Sequence, residues 1–157
     1  MTSGFAVTLG VRLMLVILFL PFSALDKILN FQGAVGQARE IAPNAALARL
    51  LILCGLGIEI LAPLGILTGI ADRLAALVLA GYCVATALLW KRFWQPGDFW
   101  QAGESRGRNL FWDFLKNVSL AGGFLVLAFG AGTLSLGSFL ADPFGSSHPY
   151  AAWTIGG

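Results

Sequence analysis

Glu59 lies in the strongly apolar stretch Leu50 to Ala71, with Pro63 one helical turn after it. A carboxylate at such a depth is expensive in a bilayer and is seldom left facing lipid, so it marks a pairing or a path. Three kinds of chemistry suit it: an ion pair that sets helix register, a proton relay, or an anchor for a ligand. Its candidate neutralising partners are Arg12 and Arg73, and a second polar group is formed by Asp26, Lys27, Lys116 and Asn117. Arg12, Phe19, Ser23, Asp26 and Asn30 share one face of a helix, with Lys27 beside it. Gly55 shares the face of Glu59, and Pro63 has no N–H to give the Glu59 carbonyl, which is left for another donor.

Depth orders these partners. At about 1.5 Å per residue, Glu59 is ~13 Å from the boundary near Thr68, and Arg12 is ~10 Å from the boundary near Phe5. The match pairs Glu59 with Arg12 and keeps Arg73 in reserve, since Arg73 starts at the edge and must reach inward. Lys27 and Lys116 start from the opposite side, roughly 18 Å away on a straight helix, and approach only if the bundle is kinked at Pro63 or hydrated. A buried pair is weak evidence for net stability because desolvation offsets the Coulomb attraction, so specificity of assembly or a function is the reason to carry one.

The elements that must position these residues are four apolar runs, at about 5–29, 46–68, 73–94 and 109–134, each near the ~20 residues a membrane helix needs. The runs are continuous rather than alternating, which favours helices over a β-barrel. The expected fold is an all-α, membrane-spanning four-helix bundle over residues 1–141 with an irregular tail, 142–157. The short link Gly69–Asp72 forces spans two and three into an antiparallel hairpin. The first connection, with Gly33, Gly36 and Pro43, has room for a short interfacial helix. Leu13 to Leu20 is followed by no clean small-residue cleavage site, so the first run is expected to stay as a span.

Composition agrees. The 157 residues are 57% hydrophobic and 11% charged, against about 25% charged in a soluble domain. The net charge of +2 makes no case for nucleic acid. Cys54 and Cys83 both lie within spans and suit small packing positions, with no redox spacing. His148 has no companion histidine, so no metal site is expected.

Of the lysines and arginines, Lys27, Arg39, Arg49, Lys91, Arg92, Arg106, Arg108 and Lys116 go with connections one and three. Only Arg12 and Arg73 lie on the other side. The positive-inside rule puts those connections in the cytoplasm and both termini outside. Phe93, Trp94, Phe99, Trp100, Phe111, Trp112 and Phe114 crowd the third connection, as an aromatic belt at headgroup level or as the wall of a site for a ring-shaped ligand such as a quinone. Ala76, Ala80, Cys83 and Ala87 form a small-residue face on span three. Ser119, Gly123, Gly130, Thr133 and Gly137 form one on span four. Both permit close helix approach.

Arg12 with the run into Asp26-Lys27-Ile28, then Gly57-Ile58-Glu59-Ile60, Gly65-Ile66-Leu67-Thr68-Gly69, Asp72-Arg73-Leu74-Ala75-Ala76 and Phe114-Leu115-Lys116-Asn117, resembles the DoxX family of small four-helix membrane proteins. The likeness covers about residues 9 to 136. It departs at Ser135-Leu136-Gly137, where family members often carry an aspartate after Ser-Leu. The family takes its name from a subunit of a membrane thiosulfate–quinone oxidoreductase, and other members are linked to redox or oxidative-stress assemblies. The resemblance therefore implies a non-catalytic accessory or anchoring subunit of a quinone-linked complex in a bacterial inner membrane. Its partners would be the lipid bilayer and another membrane protein, with a quinone or lipid contact at the bundle surface and no cofactor held by the chain itself. The alternative is a stand-alone small-solute or proton-coupled carrier in which Glu59 is the binding carboxylate. Fold likeness alone transfers no chemistry.

Overall fold

Pro21 decides the shape of the first span. A proline inside a helix removes one backbone donor and crowds the preceding turn, and here the chain breaks beside it. In the computed structural model, which describes residues 3–130 and 136–150, α1 (Ser3–Val16) gives way to a π-helical turn, Leu18–Ser23, in which Leu20 leaves helical geometry at φ −96°, ψ 71°. α2 (Ala24–Leu29) then resumes, and the two halves meet at 47°. α3 (Phe31–Ala38) is a short helix in connection one. It packs through Val35 and Ala38 against Ala48 and Ile52 of the next helix.

α4 (Ala45–Thr68) starts where the Asn44 side chain accepts a hydrogen bond from the Leu47 N–H at 2.8 Å, a cap typically worth about 1 kcal/mol. Its 24 residues extend about 36 Å, enough for a ~30 Å hydrocarbon core. It ends at Gly69, whose φ of 78° is in the left-handed region that glycine occupies without a Cβ penalty. α5 (Asp72–Trp90) follows at once, as the short link requires. Connection three ends at Ser105, whose hydroxyl accepts from the Arg108 N–H, while Asp98 accepts from the N–H groups of Arg106 and Gly107 at 2.9 and 2.8 Å. These bonds satisfy the free donors that open α6 (Arg106–Phe129). α7 (Leu136–Ala141) is a short helix, and residues 142–150 are largely without regular structure.

The described residues form helices and no strands. Among the described residues three helices, α4, α5 and α6, are long and apolar enough to cross a membrane, and the count is four when the bent first pair is taken as one span. Span three ends at Trp90 and span four begins at Arg106, so the helical parts are shifted from the runs read as 73–94 and 109–134. Residues 131–135 lie outside the described residues.

α5 is the central helix, between α4 and α6. Its small face is buried as expected: Ala76, Ala80, Cys83 and Ala87 are each at most 3% exposed. The small-residue stripe expected on span four is not what that helix buries. Ser119, Gly130 and Gly137 are exposed, Thr133 is outside the described residues, and Gly123 meets the first helix at Leu15. α6 turns Ala121, Phe124 and Ala128 inward instead. These lie three and four residues apart on one face. Phe124 fills the bundle centre against Phe19, with ring centroids 5.8 Å apart. Dispersion between complementary side chains holds such an interface, since lipid tails are as apolar as the side chains themselves.

Candidate functional site

The break in span one changes which charges meet. Beyond Leu20 the chain turns so that Ser23 and Lys27, one helical turn apart, both face α4. Lys27 Nζ donates to Glu59 Oε1 at 2.7 Å and Oε2 at 2.9 Å, and to Ser23 Oγ at 2.8 Å. Ser23 Oγ and Tyr82 Oη each donate to Glu59 Oε1 at 2.8 Å. Glu59 is 2% exposed and the Lys27 side chain 19%. A carboxylate with one cationic and two hydroxyl donors on a single oxygen is firmly held, because charge-assisted hydrogen bonds are the stronger kind.

Gly55 makes this arrangement fit. It lies one turn before Glu59 on the same face, and a Cβ there would come within 3.2 Å of Tyr82 Oη. The missing side chain leaves room for the tyrosine to reach the carboxylate from α5.

Arg12 is therefore not the partner of Glu59. It is buried at the other end of the bundle, where one terminal nitrogen donates to the Ile66 carbonyl and the other reaches Asp72 Oδ2 at 2.7 Å and Ser147 Oγ at 2.9 Å. Asp72 is fully buried, and as the first residue of α5 it also benefits from the positive end of that helix. It accepts from the Ser147 N–H at 2.9 Å and from the Ser147 hydroxyl. The segment around Ser147 is seated further by Tyr150, whose hydroxyl donates to the Leu67 carbonyl at 2.6 Å and whose ring lies 4.9 Å from that of Phe5.

Arg73 is not a reserve partner of Glu59 either. Its Nε donates to the Ala128 carbonyl at 2.9 Å, and its guanidinium lies 5.6 Å from the Phe139 ring centroid. It ties α5 to the end of α6 and to α7. The depth match failed because it assumed a straight first span. A helix broken at Leu20 brings Lys27 toward Glu59, while Arg12 meets an aspartate at the hairpin.

The second polar group is divided in the same way. Lys27 has joined Glu59, and Asp26 is exposed. Lys116 Nζ reaches Asp113 at 3.3 Å, Asn117 Nδ2 donates to the Asp113 carbonyl at 3.0 Å, and Lys91 pairs with the same carboxylate at 3.0 Å. Asp72, Tyr82 and Asp113 were not singled out as site residues by the sequence. Asp72 could have been found, because a buried arginine needs an anion and Asp72 opens span three at the depth of the hairpin. Nothing local marks Tyr82.

The Glu59 cluster forms one end of a cavity of about 360 Å³ between the π-helical turn, α2, α3, α4, α5 and α6. Leu18, Phe19, Leu51, Ile52, Tyr82 and Trp90 supply its apolar and aromatic walls, and Gln37, Lys91 and Asn117 add polar groups. The Trp90 Nε1–H points to the Gln37 carbonyl at 3.4 Å, so α3 and the end of α5 meet beside the cavity. Cys54 is exposed, Cys83 is buried, and both are free thiols. In connection three, Phe93 gathers Trp94, Phe99, Phe111 and Phe114 within 5.9 Å, whereas Trp100 is 91% exposed. The phenylalanines thus pack on one another, partly buried, and the tryptophans Trp94, Trp100 and Trp112 are exposed.

A family model described as DoxX matches residues 7–92, a range that includes Arg12, Ser23, Lys27, Glu59, Asp72 and Tyr82. The inner membrane protein YphA of Escherichia coli (strain K12) is 32% identical to this chain over 127 residues, which cover 80% of this chain and 84% of that protein. No solved structure matches the chain.

Proposed function

The chain belongs to the DoxX family, and from that premise we propose that it is a non-catalytic accessory subunit that anchors a quinone-linked redox complex in a bacterial inner membrane. The observation that carries this reading is the state of α6. Only 11% of its most apolar window is buried within the chain, against 33% for α4 and 28% for α5. Ser119 and Gly122 lie on its outer side, and Gly122 has open space where a Cβ would be. A flank of small residues suits close approach by a helix of another membrane protein. The charged groups support the same reading, since Arg12 with Asp72 and Lys27 with Glu59 are committed to holding the bundle together.

Purification in mild detergent from the native membrane tests it. A membrane redox protein is expected to co-elute in fixed ratio, and Gly122→Phe is expected to release it while the chain stays monodisperse. A homo-oligomer alone, with no such partner, would remove the subunit reading. The carrier reading is kept by one observation, the cavity beside Glu59. Reconstitution of that homo-oligomer with movement of a solute, lost in Glu59→Gln, would establish it.

The proposed orientation has connections one and three in the cytoplasm and both termini outside, on the lysine and arginine asymmetry. Single cysteines introduced into a Cys54→Ser/Cys83→Ala background are expected to label from outside at Ser146 and not at Gln101. The reverse pattern would invert the topology.

A further inference from the structure

The cavity beside Glu59 has a chemistry of its own. Glu59 and Lys27 neutralise one another, so the inner end carries a dipole rather than a net charge. The donors nearest the carboxylate are already used: Ser23 and Tyr82 each give their one hydroxyl hydrogen to Glu59 Oε1, and Lys27 donates to both carboxylate oxygens and to Ser23. Beside the carboxylate, acceptor capacity is what remains, while Gln37, Lys91 and Asn117 line the cavity further from it. Among the described residues Glu59 Oε2 receives only Lys27, and the Tyr82 oxygen, having donated, keeps its lone pairs. An occupant of the inner end must therefore supply a hydrogen-bond donor.

The walls narrow the choice. Phe19 and Tyr82 stand edge to face at 6.4 Å, and Trp90 with Ile52 and Leu51 continues an apolar and aromatic lining. A cationic donor would meet the Lys27 ammonium at a carboxylate that is already paired, and like charges at one site repel. An anion would have to approach the Glu59 carboxylate, whose charge opposes it. The volume of about 360 Å³ falls within the ~300–1,000 Å³ range of small-molecule pockets and exceeds what a single ring needs. We infer that this cavity is a binding site for a neutral aromatic hydroxyl compound, a phenol or a hydroquinone, whose hydroxyl donates to Glu59 Oε2 or to the Tyr82 oxygen while its ring lies between Phe19, Tyr82 and Trp90. The site is complete within one chain and stands without the subunit reading. Only the choice of hydroquinone as one source rests on the quinone link.

The test is ligand titration of the full chain in lipid nanodiscs, followed by saturation-transfer NMR, with empty nanodiscs to subtract partition into lipid. Four probes are compared: a short-chain hydroquinone, the quinone of the same skeleton, a monohydric phenol of similar size, and a benzylammonium. The two hydroxyl compounds are expected to bind saturably, at least tenfold tighter than the quinone and the cation. A hydroquinone tenfold tighter than the phenol assigns the source to a reduced quinone, and equal affinities assign it to phenols in general. Leu51→Trp places bulk in the cavity wall at a residue that makes none of the polar cluster's hydrogen bonds, and is expected to lower affinity at least tenfold with the protein still monodisperse. Tyr82→Phe is expected to narrow the gap between hydroquinone and quinone. A quinone or a benzylammonium that binds as tightly as the hydroquinone overturns the assignment, as do affinities unmoved by Leu51→Trp or the absence of saturable binding. Co-elution decides the subunit reading separately, so either proposal can fall while the other stands.

Discussion

Replacement of Lys27 by methionine is expected to destabilise the detergent-solubilised chain by about 3–5 kcal/mol, the usual consequence of leaving one charge of a buried pair uncompensated. The carboxylate of Glu59 would retain Ser23 and Tyr82 as donors but lose its countercharge while remaining 2% exposed. Glu59→Gln is expected to be milder than Lys27→Met, because the Lys27 side chain is 19% exposed and its ammonium has a route toward solvent. The double variant is expected to be more stable than the sum of the two losses predicts, with a coupling energy of roughly 1–3 kcal/mol. Thermal unfolding of the four proteins in one detergent measures it. Arg12→Gln combined with Glu59→Gln supplies the contrast: those residues have no partner in common, so their effects are expected to add to within about 0.5 kcal/mol. Additivity for Lys27 with Glu59, or coupling between Arg12 and Glu59, would show that the pairing is wrong.

What was legible in the sequence, and what was not, follows from the range of each interaction. The helices were legible because about twenty apolar residues in succession have few alternatives in a bilayer. The buried face of α5 was legible from Ala76, Ala80, Cys83 and Ala87 because helical periodicity is local. Glu59 was legible as a polar residue that needed a partner. Which cation it meets was not, because that depends on the path of span one, and the break at Leu20 is a tertiary outcome. Pro21 was the available signal. A proline a few residues before Ser23 and Lys27 warns that depth cannot be counted along one axis, yet the kink was looked for at Pro63. α4 carries Pro63 as a single continuous helix. The stripe read on span four failed for a different reason. Small residues permit approach without requiring it, and Phe124 fixes the inner face of α6 by filling the space beside Phe19. Tyr82 could not have been found without the fold, since it reaches Glu59 from the neighbouring helix, past the position where Gly55 carries no side chain.

The opposite end of the bundle holds the second large effect. Arg12 and Asp72 are both buried, and Ser147 lies against them, receiving a hydrogen bond from Arg12 and giving its N–H and hydroxyl to Asp72. One aspartate thus holds span one, the start of α5 and the C-terminal segment together. Asp72→Ala is expected to cost about 3–5 kcal/mol by stranding the guanidinium. It is also expected to free the segment around Ser147, raising hydrogen exchange and protease cleavage there well before the bundle unfolds. Ser147→Ala removes only the hydroxyl bonds, keeps the backbone N–H on Asp72, and is expected to cost about 1 kcal/mol with a partial rise in cleavage. Tyr150→Phe, which loses the bond to the Leu67 carbonyl, is expected to resemble it. The order Asp72→Ala, then Ser147→Ala and Tyr150→Phe, then wild type, should hold in both thermal stability and tail protection. Tail protection unchanged in Asp72→Ala would show that the segment is held by Tyr150 and Pro149 packing on Phe5 and Gly69, and that the buried pair serves span one alone.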